Sequence, residues 1–116
     1  MILGVGIDVV DIKRISNRKS NEFVKKLLTQ NELNKYNSLK DANKEDMFLA
    51  VRWALKEAIY KSLKIKQLFT DLDIKKINGL YECFLVNDNT INLHLSVSYE
   101  ADMITAICVA ESNLIK

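Results

Sequence analysis

Two acids and a lysine stand where acids and lysines are usually absent. Asp8 lies between Ile7 and Val9 in the apolar run ILGVGIDVV, and Glu57 lies midway through FLAVRWALKEAIYKSL with Lys61 four residues on. An acid and a base at that spacing project from the same side of a helix. Two carboxylates on separate rigid elements hold one hard cation. Magnesium takes one or two protein carboxylates and completes its octahedron with water and phosphate oxygens. Lys56, Lys61, Lys64 and Lys66 then hold the remaining phosphate charge. The phosphates would not rest in a glycine-rich turn, since the chain carries no Walker-type loop and no dinucleotide fingerprint. Two plainer readings compete at this point. Glu57 and Lys61 also make a solvated surface ion pair, and Asp8 also makes a strand-end carboxylate capping the next turn.

The elements that must position these groups follow from the apolar pattern. Phe48, Val51, Leu55, Ala58, Ile59 and Ser62 recur at helical spacing, so a helix from Phe48 to about Leu63 presents them to a core. Arg52 and Lys56 share another side of it. Residues 2–10 read as a buried, β-branched strand. Ile2, Gly4, Gly6 and Asp8 alternate onto one face, with Leu3, Val5, Ile7 and Val9 on the other. The two glycines leave room for a close approach to the backbone. The polar stretch 11–20 follows, and Ser20 is placed to cap a helix starting near Asn21 with Phe23, Val24, Leu27 and Leu28 as its apolar stripe. Thr29 to Glu32 has the spacing of a capping box, opening a helix from about Gln30 to Leu39. Residues 40–46 read as a charged loop. After an irregular connection come a strand over 73–78, a turn at Asn78-Gly79, a strand over 80–86, a turn at Asn87-Asp88-Asn89, a half-buried strand from Ile91 to Val97 and a last buried strand over 103–110. The expected class is α+β: an antiparallel sheet, which includes the first strand, packed on helices from the first half of the chain.

Composition bounds the function. At 116 residues and 48% hydrophobic, the chain reads as one domain, 1–116, with a small core that leaves apolar surface for a partner. No run is long and apolar enough to span a bilayer, and no basic region with a cleavage site opens the chain, so the expectation is a cytoplasmic protein off the membrane. Cys83 and Cys108 have no metal-ligand spacing and read as reduced thiols. The lone His94 reads as a polar strand residue, which leaves a His-centred zinc site or a Ser/His/Asp triad unsupported. The net charge of +2 is unevenly spread: residues 1–66 carry 14 Lys/Arg and 8 Asp/Glu, residues 67–116 carry 3 and 7. A basic first half suits an acidic or phosphate-rich partner. Nucleic acid is not the expected one, because no recognised motif or aromatic-interleaved basic run is present.

Taken together, GVGIDVVDIKRI, LLTQNEL, FLAVRWALKEAIYKSL and LSVSYE fall in the order and spacing of one family. The chain resembles holo-acyl-carrier-protein synthase, the small bacterial 4′-phosphopantetheinyl transferase, over essentially its whole length. The resemblance implies transfer of the 4′-phosphopantetheine arm of coenzyme A to a serine of apo-acyl carrier protein, with release of adenosine 3′,5′-bisphosphate and a requirement for magnesium. It implies metal binding by Asp8 and Glu57; on chemical grounds Glu57 is then a candidate base, directly or through a metal-bound water. It implies phosphate contacts from Lys61, joined by Arg52, Lys56, Lys64, Ser98 and Tyr99, and docking of an acidic carrier protein on Arg14, Arg18 and Phe23. It also implies a homotrimer. The chain departs from the family pattern in having Ser98-Tyr99-Glu100 for Ser-His-Thr, Lys64-Ile65-Lys66 for the glycines after the central helix, and Asn78-Gly79-Leu80 for Gly-Lys-Pro. Those departures motivate the alternative expectation of a non-catalytic module that binds coenzyme A or carrier protein on the same fold.

Overall fold

The computed structural model describes residues 1–64, 68–85 and 90–113. Strand β1 (Ile2–Asp11) runs into a short helix α1 (Ile12–Ser16), followed by α2 (Asn21–Leu27), α3 (Gln30–Ser38) and the long α4 (Ala42–Leu63). A 3-10 turn (Phe69–Asp71) leads to β2 (Leu72–Ile77), β3 (Leu80–Leu85), β4 (Ile91–Glu100) and β5 (Met103–Ser112). The class is α+β, as expected. The strands form two sheets rather than one: β1-β5-β4 and the β2-β3 hairpin, antiparallel throughout.

Local chemistry explains the element boundaries. Asp11 caps α1 by accepting from the Lys13 amide, and Ser20 caps α2 by accepting from the Phe23 amide. Thr29 and Glu32 form the reciprocal capping box anticipated for α3. Helix α4 begins at Ala42, six residues before its apolar stripe, because Asp41 caps it by accepting from the Asn43 amide. The expected charged loop over 40–46 is therefore mostly the first turn of that helix. It ends at Lys64, which takes the left-handed conformation at φ 58° and donates its amide to Tyr60 O. Asn78 and Gly79 turn the hairpin with φ of 51° and 82°, both positive as a two-residue turn of this hand requires. The turn anticipated at 87–89 lies outside the described residues, as does Lys66.

The core lies between the inner face of the β1-β5-β4 sheet and α4. Leu49, Ala54, Leu55, Ala58 and Ile59 of the helix meet Ile104, Ala106, Cys108 and Ala110 of β5, all fully buried. The contact is closest at β1. A Cβ added to Gly4 would sit 2.0 Å from Ser62 O, and one added to Gly6 would sit 1.9 Å from Ala58 O. Only glycine lets the strand lie against the helix backbone there. The other face of β1 is not buried as the sequence suggests. Val5, Ile7 and Val9 are each more than half exposed, beside the partly exposed Ile107 and Met103 of β5.

Candidate active site

The glycine seam fixes where the chemistry-bearing side chains meet. Asp8 follows Gly4 and Gly6 at the strand's two-residue period, so its side chain leaves on the same face, toward α4. There Lys61 Nζ donates to Asp8 Oδ1 at 3.1 Å and to Ile7 O at 3.0 Å. The Asp8 side chain is 15% exposed, while Lys61 is half exposed. Glu57 sits one turn before Lys61 on the same side of α4. Partial burial pushes its pKa above the usual carboxylate value, Asp8 pushes it further up, and Lys61 pulls it back. The three groups therefore form one charge cluster. Asp8 and Glu57 supply hard oxygen donors, and among the described residues no group of three or more His, Cys, Asp or Glu joins them.

Glu57 also lines a cleft of about 700 Å³ between Lys25 and Lys26 of α2, Tyr60 of α4, and Leu68, Phe69 and Thr70 before and within the 3-10 turn. Neither Tyr60 nor the 3-10 wall stood out in the sequence. Tyr60 is three residues past Glu57 and so shares its side of the helix. The wall, by contrast, depends on chain folding back from beyond residue 67. Beneath the cleft, Trp53 stacks on Phe23 at 5.8 Å between centroids and meets the edge of Phe69 at 5.3 Å.

The other anticipated residues are distributed as follows. Lys56 is not available to phosphate, which corrects that expectation. It is fully buried and donates to Glu32, to Leu27 O at 2.7 Å and to Phe69 O at 2.9 Å. Burial lowers its pKa, and Glu32 opposes that. A buried lysine survives in a core only with such partners. Arg52 is likewise buried, but it borders a second groove of about 460 Å³ with Lys35, Lys44, Lys76 and Tyr81. Its guanidinium lies 3.8 Å from the Phe48 ring centroid, and its Nε is buried without a hydrogen-bond partner among the described residues. Burial lowers its pKa, opposed by Tyr81 and Glu32. Lys64 is exposed at the end of α4; Ser98 and Tyr99 are exposed near the end of β4. Arg14 and Arg18 are exposed on and just after α1, whereas Phe23 is half-buried against Trp53. The structure thus joins Asp8, Glu57 and Lys61, and sets Arg52 in a groove of its own.

This arrangement suits chemistry on a phosphate ester: carboxylates for a cation or a proton, beside a lysine for developing negative charge. Comparison with known proteins agrees. A family model described as the 4′-phosphopantetheinyl transferase superfamily matches residues 4–108. The holo-[acyl-carrier-protein] synthase of Mycoplasmoides gallisepticum is 53% identical over 111 residues, covering 96% of this chain and 98% of that protein. That of Mycoplasma genitalium is 50% identical over 116 residues, covering 97% and 99%. Among solved structures, the Neisseria meningitidis holo-[acyl-carrier-protein] synthase aligns with a TM-score of 0.83 at 30% identity, over 97% of this chain and all of that one. The Bacillus anthracis enzyme, solved in complex with CoA (3′,5′-ADP), aligns with the same score and identity over 97% and 98%. The chain belongs to the 4′-phosphopantetheinyl transferase superfamily and, within it, to the holo-[acyl-carrier-protein] synthases.

Proposed function

We propose that this protein moves the 4′-phosphopantetheine arm of coenzyme A to a serine of apo-acyl carrier protein, working in the cytoplasm as one domain and supplying carriers for fatty acid synthesis. The observation that carries the reading is the cluster of Asp8, Glu57 and Lys61, whose charges act on one another at the edge of a cleft. The serine oxygen forms a bond to the phosphorus bearing the pantetheine arm. The bond from that phosphorus to the bridging oxygen breaks, and adenosine 3′,5′-bisphosphate leaves with the electron pair. Glu57, in the wall of the cleft, accepts the serine proton. Lys61 stabilises negative charge on the phosphoryl oxygens.

Magnesium is the cofactor this donor set fits. Among the described residues no third His, Cys, Asp or Glu joins the two carboxylates, which leaves coordination sites for water and phosphate oxygens. Bound there, the cation would neutralise charge on the pyrophosphate. Arg52, whose buried Nε has no hydrogen-bond partner among the described residues and lies among three nearby lysines, is assigned to a further phosphate of coenzyme A; Lys64, Ser98 and Tyr99 are assigned to its remaining contacts. Arg14 and Arg18 form the docking surface for the acidic carrier protein, and Phe23 acts from beneath through Trp53. The exposed apolar face of β1 and β5 supports a homotrimer, in which a second copy covers it.

The test is intact-mass analysis of apo-acyl carrier protein incubated with this protein, coenzyme A and magnesium, beside a chelator control and the Asp8→Ala and Glu57→Ala variants. A gain of one phosphopantetheine group, lost with chelator and in folded samples of either variant, is expected. Coenzyme A binding with no mass gain would establish the non-catalytic module instead.

A further inference from the structure

Lys56 carries more than a core ion pair. Its three ammonium protons have three partners: Leu27 O, a Glu32 carboxylate oxygen and Phe69 O. Leu27 ends α2, directly after the cleft residues Lys25 and Lys26, and Phe69 is itself in the opposite wall. One ammonium therefore grips the backbone of both walls, from the residue adjoining Glu57. Glu32 holds the ammonium in place and is anchored in turn, accepting from the Thr29 amide at 2.8 Å and the Ile74 amide at 3.1 Å. The Phe23–Trp53–Phe69 stack joins the same two walls without charge or directional bonds.

We propose that Lys56, held by Glu32, is a positioning residue that sets the width of the Glu57 cleft; the inference rests on the transferase reading given above. Two backbone oxygens clasped to one nitrogen fix a separation that stacked rings alone leave free to slide. Small losses of positioning at a reacting centre are costly in rate.

Removing the lysine alone would strand a buried carboxylate and threaten the fold. The test is therefore the neutral double variant Lys56→Met with Glu32→Gln, set beside Leu93→Ala as a destabilised control in β4. Rates are taken where all are folded. The double variant is expected to lose about tenfold in kcat/KM for transfer, mostly through kcat, with the control near wild type. It is also expected to show faster amide exchange across the 3-10 turn, which the control does not. Control-like kcat/KM, or unchanged exchange, overturns the proposal. Should the double variant not fold, the nitrogen-15 signal of the Lys56 ammonium in the wild-type protein decides: coenzyme A binding is expected to shift it, and an unmoved signal overturns the proposal. A wild-type protein without transfer activity would refute the transferase reading, while the exchange comparison would still report on the clasp.

Discussion

Glu57 keeps its carboxylate where charge is disfavoured. Partial burial and the neighbouring Asp8 both raise its pKa above 4.5, against the pull of Lys61. An acid whose pKa is higher folded than unfolded binds its proton more tightly in the native state. Its stabilising effect is present below about pH 4.5 and is lost as pH rises through the folded value. In metal-free protein, Glu57→Gln is therefore expected to raise Tm at pH 7 and leave it unchanged near pH 4, while abolishing transfer. Thermal melts at the two pH values check it; equal melts at pH 7 would remove the strain from the site. Asp8, Glu57 and Lys61 were legible in the sequence because each breaks a local pattern: an acid in a strand, an acid within an apolar helix, a base one turn on. Lys56 was not legible. Its burial depends on Glu32, which sits 24 residues away, and no local pattern announces a partner at that distance.

At the scale of elements, the departures from family pattern have structural consequences that can be measured. Lys64 closes α4 with φ 58°, a conformation that costs a side-chain-bearing residue about 1–2 kcal/mol and glycine little. Lys64→Gly is expected to stabilise the fold by about 1 kcal/mol, read as a Tm rise of about 4 °C. If Lys64 holds phosphate, KM for coenzyme A rises in the same variant. Gly6 offers the opposite case. Its neighbour Ala58 O would lie 1.9 Å from an added Cβ, so Gly6→Ala is expected to cost at least about 3 kcal/mol, seen as a fall in the urea midpoint. Element identities were mostly readable from periodicity, caps and the Asn78-Gly79 turn. The start of α4 was misplaced because Asn43, Lys44, Glu45 and Asp46 carry no apolar signal, although Asp41 is a proper cap. The separation of the hairpin from the main sheet was hidden too, since alternation tells which face of a strand is apolar but not which strand it pairs with.

The molecule as a whole leaves an apolar surface bare. Val5, Ile7 and Val9 lie across from Val109, Ile107 and Thr105 on the sheet face turned away from α4. A patch of that kind suits an interface between copies. Val5→Asp is expected to convert the proposed trimer into a monomer, with light scattering after size exclusion as the measurement. An unchanged mass would place the interface elsewhere. A sequence read one chain at a time marks the face of Leu3, Val5, Ile7 and Val9 as apolar but does not say whether this chain or another surface covers it. The order of pairing has a further effect, during synthesis. Ile2 pairs with Glu111 and Asp11 with Met103, so β1 leaves the ribosome before all the helices and the β2-β3 hairpin, yet bonds along its length to β5, which follows them. Until β5 emerges, β1 is an unzipped edge, with bare amides and β-branched side chains, and the central sheet cannot close. The nascent chain must either be shielded or finish quickly.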